Sequence, residues 1–194
     1  MIKNLSEKEV KKIDLSTRTI YVNGVIASDL IEESVLAIRD INMYDDNQEK
    51  HLKNYKREPI TVIVDTYGGS VYDGLGLVNI ISSSKTPVHT YCYSKAMSMG
   101  LLIFISGHKR FIHENATLMF HQLSTVIMGT NQDVIDEQSR VNKLNKKLMK
   151  IVRKRTSITK EQMNKKNIFK KDWFISGKKA VKLNAADELI KDTI

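Results

Sequence analysis

The feature that most constrains the fold is an alternation between short β-branched, apolar runs and longer stretches with apolar residues at helical spacing. The runs predict buried strands, and they lie at residues 19–22, 61–64, 88–93, 109–113 and 116–120. The first of them ends at Asn23-Gly24, a pair typical of turns. Strands that alternate with helical patterns are typical of an α/β fold with parallel pairing.

Two helical patterns separate these runs. Their apolar positions are Ile31, Val35 and Ile38 in the first pattern and Val71, Leu75, Val78 and Ile81 in the second. Asp29 and Glu32 predict a capping box at the start of the first helix. Residues 42–57 have no apolar period, which predicts an exposed loop or an extension of that helix.

A third, longer pattern carries most of the positive charge. It predicts one helix over about residues 133–155, with an apolar seam at Val134, Val141, Leu144, Leu148 and Ile151. The formal net charge is +9, and thirteen Lys and Arg residues but one acid, Glu161, lie between Arg140 and Lys171. The spacing favours a solvated helix face over a nucleic-acid footprint, since no aromatic residue for base stacking occurs there before Phe169. We therefore expect no nucleic-acid partner.

Length and composition exclude several classes of protein. The 194 residues, 41% of them hydrophobic, suffice for one sizeable domain and are unlike a disordered chain. The chain has one cysteine, Cys92, which excludes a disulfide framework and a cysteine zinc site. The first twelve residues are polar, unlike a signal peptide, and the longest nearly apolar stretch, residues 96–106, is too short for a bilayer. The sequence therefore predicts a cytoplasmic protein with no membrane partner.

The segment Asp65-Thr-Tyr-Gly-Gly-Ser70 stands between a predicted strand and a predicted helix. Two glycines there leave backbone N–H groups unobstructed, which suits binding of an anion or an oxyanion. The alternative is a plain tight turn. The segment matches neither of the common glycine patterns for nucleotides, so no nucleotide site is predicted.

Two further segments place reactive side chains at the ends of predicted strands. Ser98 lies at a strand-to-helix junction, where it can present its hydroxyl while the N–H of Met99 helps to bind an oxyanion. Ser94 is the competing hydroxyl, and we predict that it is the helix N-cap. His121 ends a convincing buried strand, and histidine can carry protons at neutral pH. Packing of a small residue is the alternative for Ser98, and a structural role is the alternative for His121.

These segments resemble, in order and spacing, the ClpP family of serine peptidases, the proteolytic subunits of Clp proteases. The resemblance extends from about Arg18 to the C-terminus and rests on Gly68-Gly69-Ser70, Ala96-Met-Ser-Met-Gly100, Met119-Phe-His-Gln122 and Asp172-Trp-Phe-Ile-Ser176. It implies a ClpP/crotonase-like α/β fold of repeated β-β-α units, with a protruding handle over about residues 124–155. It also implies one peptidase domain, residues 18–194, after an N-terminal segment, residues 1–17, that we expect to be mobile.

The resemblance implies a role for each matching residue. Ser98 would be the nucleophile, His121 the general base and Asp172 the acid that orients the imidazole. The N–H groups of Gly69 and Met99 would bind the oxyanion. No metal or cofactor is implied. Lys95 as the base of a Ser–Lys dyad is the less favoured alternative, because the histidine and the aspartate already fill that role.

The function implied by the resemblance is cleavage of unfolded polypeptides inside an oligomeric chamber. The chamber would be a heptameric ring or two stacked rings forming a tetradecamer, fed by a separate ATP-dependent AAA+ Clp unfoldase. A ClpP paralogue is a further expected type of partner. Two alternatives stay open: a phage head-maturation protease that works without an ATPase, and an inactive ring subunit with a structural or regulatory role.

The chain departs from the family pattern at positions linked to assembly. Lys170-Lys171 replaces an acid–arginine pair that helps to link the rings, and like charges repel. Thr61 and Ile63 replace tyrosines of the pocket where the unfoldase docks, and Tyr67 replaces a proline in the glycine turn. These differences predict a divergent member, phage-encoded or a second paralogue, with altered ring stacking and unfoldase docking.

Overall fold

The computed structural model describes residues 13–14, 18–166 and 171–190. The strands in these ranges are β1 (Ile13–Asp14), β2 (Thr19–Ile26), β3 (Ile60–Gly69), β4 (Val88–Cys92), β5 (Lys95–Met97), β6 (Lys109–His113), β7 (Thr117–Phe120), β8 (Trp173–Ser176) and β9 (Glu188–Ile190). The helices in the same ranges are α1 (Ser28–His51), α2 (Val71–Ser83), α3 (Met99–Phe104), α4 (Asn131–Arg155), α5 (Lys160–Lys165) and α6 (Gly177–Lys182).

The strands form a sheet in the order β8-β7-β5-β3-β4-β6-β9, with β2 on β3 and β1 on β2. In the described residues the pairs are parallel, except β1 with β2 and β7 with β8. β3 is shared, because residues 60–63 pair with β4 and Thr66 pairs with β5. The predicted α/β fold with parallel pairing is therefore confirmed.

Helices cover the sheet through their apolar faces. Ile38 of α1 and Leu77 and Ile81 of α2 are fully buried. The six residues of α3 are all buried, which explains why this helix contains no charged side chain. The start of α3 therefore rests on a packed core, and residues next to it are held on a rigid element.

Two strands run further than the sequence predicts. β2 continues past Asn23-Gly24 to Ile26, because Gly24, at φ 93°, lies in a bulge instead of ending the strand. β3 continues to Gly69, so the glycine pair belongs to the strand and is paired with β2. The pairing between β2 and β3 decides where both strands end, and the apolar runs in the sequence do not reveal this pairing.

The start of α1 differs from the prediction. Its N-cap is Ala27, which makes no side-chain capping bond. The predicted capping box of Asp29 and Glu32 is therefore wrong, because the helix begins one residue before Asp29 and leaves that acid inside the first turn.

The polar stretch that follows the apolar period of α1 is helical as far as His51. Asp45 explains this, since its side chain is completely buried and accepts hydrogen bonds from Arg18 at 3.1 and 2.5 Å and from Thr86 at 2.6 Å. Burial alone would raise the pKa of Asp45, but these bonds hold it below its usual value. A buried ion pair thus continues a helix where no apolar period exists.

α4 is the predicted long helix. It begins with a capping box between Thr130 and Asp133 and ends at Arg155, as expected. Leu148 and Val152 pack on the core. The preceding residues 124–130 form no strand within the described part of the chain. These residues and α4 cover the region for which the handle is predicted.

Two predictions fall at least partly outside the described residues. The first is the expected mobility of residues 1–17. Within this segment the structure describes residues 13–14, which form β1 and pair antiparallel with β2. Lys170 also lies outside, whereas Lys171 is exposed. Among the described helices, none combines the length and the apolar character needed to cross a bilayer.

Candidate active site

Strand pairing brings three predicted site residues to one place. β5 and β7 are parallel, with Met97 opposite Met119, so Ser98 and His121 follow neighbouring strands at the same edge of the sheet. β7 and β8 are antiparallel, with Phe120 opposite Trp173. The residue after Phe120 therefore faces the residue before Trp173, and these are His121 and Asp172.

The three side chains form a row. His121 Nε2 lies 2.7 Å from Ser98 Oγ, within hydrogen-bond distance. His121 Nδ1 lies 3.7 Å from Asp172 Oδ1, which is longer than a direct hydrogen bond. The side chain of His121 is 28% exposed and that of Asp172 is 51% exposed. The imidazole thus contacts the hydroxyl on one side and faces a solvated carboxylate on the other.

The backbone of Ser98 is held in an unusual conformation. Its φ of 53° and ψ of −119° are rare for a residue with a side chain and cost about 1–3 kcal/mol. The N–H of Ser98 donates to the carbonyl oxygen of Met119 at 2.9 Å, which fixes this turn to β7. Met99 is the first residue of α3, so its N–H has no acceptor within the helix. A hydroxyl and an available amide therefore share one sharp strand-to-helix turn.

Close packing around Ser98 requires glycines. A Cβ on Gly68 would lie 2.8 Å from Ser98 Cβ, and one on Gly69 would lie 2.3 Å from the carbonyl oxygen of Ile26. A Cβ on Gly100 would lie 2.5 Å from a methyl group of Thr66. The glycine pair therefore lets β3 approach both β2 and the Ser98 turn.

The side chain of Thr66 binds the backbone N–H of Gly68, the first glycine of the pair. Its hydroxyl accepts the N–H of Gly68 at 2.9 Å and donates to the carbonyl oxygen of Gly24 at 2.5 Å. The N–H of Ser70 donates to Ile26 on β2 at 2.8 Å. Successive amides of a strand point to opposite sides. We therefore expect the N–H of Gly69 to face away from β2.

Lys95 has partners that the sequence analysis did not identify. Its Nζ donates to Asp65 Oδ1 at 2.6 Å and lies 4.7 Å from the centre of the Tyr67 ring. The hydrogen bond that Lys95 donates to Asp65 raises the pKa of Lys95, and an ammonium group held in this contact is disfavoured as a base for Ser98. The alternation Asp65-Thr66-Tyr67 could have indicated this contact, because residues two apart share one face of a strand.

The predicted N-cap role of Ser94 is wrong. The residues after Ser94 form β5, which pairs with β3 and β7, and α3 begins at Met99. Ser94 lies exposed in the bend before β5. The N-cap position belongs to Ser98, which makes no capping bond with its side chain, so its hydroxyl is directed to His121.

Other reactive groups have different surroundings. Burial raises the pKa of Cys92 to about 12, so its thiol stays protonated and unreactive at neutral pH. His108 Nδ1 accepts the N–H of Val88 at 3.0 Å, and His89 lies against the Phe111 ring. No cluster of three metal-ligating side chains occurs among residues 13–14, 18–166 and 171–190.

The grouping of Ser98, His121 and Asp172 has a defined chemistry. Serine is activated for acyl transfer when its hydroxyl is hydrogen-bonded to an imidazole, a carboxylate lies on the other side of the ring, and backbone amides lie beside the hydroxyl. Fold and site thus point to the class of serine hydrolases.

Comparison with known proteins narrows this class. A sequence model described as Clp protease matches residues 15–193. The ATP-dependent Clp protease proteolytic subunit of Deinococcus radiodurans is 28% identical over 181 residues, which are 92% of this chain and 83% of that protein. A solved structure of a ClpP1 mutant from Listeria monocytogenes has a TM-score of 0.77 at 20% identity, over 92% of this chain and 94% of that chain. The chain belongs to the Clp protease family, and its enzyme class is serine endopeptidase.

Proposed function

We propose that the chain cleaves polypeptides with Ser98 as nucleophile, His121 as general base and Asp172 as the acid that orients the imidazole. The observation that carries this proposal is the 2.7 Å contact between His121 Nε2 and Ser98 Oγ. Ser98 Oγ attacks the peptide carbonyl while its proton passes to Nε2. The imidazolium then protonates the leaving amine, and an acyl-enzyme ester remains. Water, deprotonated by the same imidazole, releases the acid and restores the hydroxyl.

The distance to Asp172 fits a supporting role. At 3.7 Å it needs a small movement to form a hydrogen bond with Nδ1–H. Catalytic hydrogen bonds are often long in enzymes without substrate and shorten in the complex. A carboxylate at this position stabilises the imidazolium and favours the tautomer that leaves Nε2 free to accept a proton.

The oxyanion donors in this proposal are the N–H groups of Gly69 and Met99. The N–H of Met99 follows the nucleophile directly and has no acceptor within α3. The amide of Gly68 is already bonded to Thr66, which favours Gly69 as the second donor. Two fixed amides beside a developing negative charge contribute a large share of the rate in such enzymes.

We propose that the working form is a cytoplasmic ring of seven copies, alone or stacked on a second ring, that encloses the sites. Val126 and Met128, in the segment before α4, are 87% and 89% exposed in the single chain, which supports a contact with another copy. The polar face of α4 is acidic near its start and basic further on. The acids are Asp133, Asp136 and Glu137, of which Glu137 also pairs with Arg140 of the same helix, and the exposed bases are Lys143, Lys146, Lys147 and Lys150. Antiparallel helices of two copies would pair acid with base, which could replace the family's acid–arginine pair.

We further propose that an AAA+ Clp unfoldase feeds this ring. A row of apolar side chains crosses the sheet, and it supports such docking. Its members, opposite one another on adjacent strands, are Tyr21, Ile63, Tyr91 and Phe111. The rings of Tyr91 and Phe111 are stacked with centres 4.6 Å apart. Neighbouring strands thus supply aromatic rings next to the positions where Thr61 and Ile63 replace tyrosines, and an apolar loop of the unfoldase would bind there.

Replacing Tyr91 with serine tests this docking surface. We expect ATP-dependent degradation of a folded substrate, at subsaturating unfoldase, to fall about tenfold or more, because an aromatic anchor is lost. Cleavage of a short fluorogenic peptide should be unchanged. Tyr44→Ser, at a tyrosine 56% exposed on α1, is the matched control. Equal loss in both variants, or none in Tyr91→Ser, would contradict the docking surface. Degradation that never responds to an unfoldase would favour a head-maturation protease.

Labelling with a fluorophosphonate tests the nucleophile directly. The reagent phosphonylates an activated serine, so peptide mapping should find the adduct on Ser98 and none in Ser98→Ala. An adduct on Ser94 would overturn the assignment. A wild-type protein that neither reacts nor cleaves a fluorogenic peptide would instead support the inactive ring subunit.

A further inference from the structure

Lys95 connects the strand that ends in the glycine pair to the strand that directly precedes Ser98. It is the first residue of β5, three positions before Ser98. Its Nζ donates to Asp65 Oδ1 at 2.6 Å and stands over the ring of Tyr67 at 4.7 Å. Asp65 and Tyr67 lie two positions apart on β3, in the three residues before Gly68 and Gly69. One ammonium group therefore contacts two side chains of the segment that leads into the glycine pair.

The backbone link between these two strands is short. Within the described residues, β3 pairs with β5 through Thr66 and Ala96 alone, whereas β3 pairs with β2 over seven positions. β3 is held by β2, and β5 is held by β7, but a single pair between β3 and β5 leaves these two strands able to shift relative to each other. Such a shift would change the distance between the glycine amides and Ser98, and a side-chain contact beside that pair opposes it.

We propose that Lys95 is a positioning residue for the peptidase reaction: its contacts with Asp65 and Tyr67 hold the glycine amide at the distance from Ser98 Oγ that oxyanion binding requires. This inference rests on the proposed function, because it assigns the second oxyanion amide to β3. Lys95 itself touches no reacting atom.

The expected consequence is a loss of rate with little loss of stability. The side chains of Lys95 and Asp65 are 22% and 36% exposed, and ion pairs of this kind contribute little to the free energy of unfolding. Small displacements of a group that acts in the transition state, by contrast, are costly in rate. When an interaction that forms only in the transition state is lost, kcat falls and KM stays unchanged.

Peptide kinetics of four variants test whether the contact between Lys95 and Asp65 positions the glycine amide. Lys95→Met keeps the length of the side chain and removes the charge, and we expect kcat to fall about 10- to 100-fold with KM within about twofold. Lys95→Arg keeps the cation and should restore most of the rate. Asp65→Asn should lower kcat as Lys95→Met does. The double variant Lys95→Met/Asp65→Asn should lose no more than either single one, because both break the same contact.

Lys109→Met is the matched control. Lys109 also joins a carboxylate and a ring, with Glu188 at 2.7 Å and the Phe111 ring at 5.0 Å, but it lies on β6. Its peptide kcat should equal that of wild type. An unchanged kcat in Lys95→Met and Asp65→Asn, with Ser98 still labelled by fluorophosphonate, would overturn the positioning role of Lys95 and leave the proposed function intact. Additive losses in the double variant would also overturn it. A wild-type protein without peptidase activity would overturn both proposals.

Discussion

Replacing Ser98 with alanine is expected to lower kcat for peptide hydrolysis by about 10⁶-fold. The change removes the oxygen that forms the acyl-enzyme and leaves His121 without a partner at 2.7 Å. The remaining amides and binding surface retain a small part of the acceleration. Initial rates with a fluorogenic peptide, at enzyme concentrations high enough to exclude a trace contaminant, measure the loss.

Ser94→Ala is the control for this result. Ser94 is exposed and lies four residues away, at the opposite end of β5 from Ser98, so loss of its hydroxyl should leave kcat unchanged. Alanine at position 98 keeps a Cβ in the same backbone conformation, and circular dichroism should show an unchanged fold for both variants. A Ser98→Ala protein that retains more than about a hundredth of the wild-type kcat would contradict the assignment of the nucleophile.

Asp172→Asn is expected to lower kcat by about 10⁴-fold. The asparagine amide has a similar shape, but it cannot stabilise the imidazolium, and its NH₂ group can bond to Nδ1 and turn the imidazole into the wrong tautomer. Because Asp172 is half exposed and 3.7 Å from the ring, its removal should not affect folding. The kcat of the variant, measured together with its thermal unfolding midpoint, separates the two effects.

Asp40→Asn provides the comparison for Asp172→Asn. Asp40 lies on α1 with a side chain 51% exposed, like that of Asp172, and its exposed pair with Arg39 contributes little to stability, so its loss should change neither kcat nor the unfolding midpoint. A fully active Asp172→Asn protein would show that Ser98 and His121 work as a dyad without this carboxylate. The proposed role of Asp172 would then be wrong, while the role of Ser98 would stand.

The elements with strong apolar patterns could be predicted from the sequence, but several of their ends could not. The apolar run at residues 61–64 correctly indicates a buried strand, but β3 continues through Gly69 because β2 pairs with it there. The helix from residue 28 continues to His51 because Asp45 is buried against Arg18. Both extensions depend on residues distant in sequence, which local periodicity does not contain.

The site shows the same division. Ser98 and His121 could be found because each follows a predicted strand, and parallel strands bring their ends to one edge. The predicted N-cap at Ser94 failed because Lys95–Met97 form a strand between β3 and β7, a pairing that overrides the local preference for a helix start. The contact of Lys95 with Asp65 spans thirty positions of the chain and exists because β3 and β5 are neighbours.

By itself the sequence determined the chemistry that the chain carries: a serine, a histidine and an aspartate at strand ends, glycines before a helix, and one apolar core. These properties follow from side-chain types and their spacing, which are local. The tertiary structure decided which of these groups meet and at what distance. Pairing of β7 with both β5 and β8 sets the 2.7 Å and 3.7 Å distances around His121, since a register shift by one residue would turn each side chain to the opposite face.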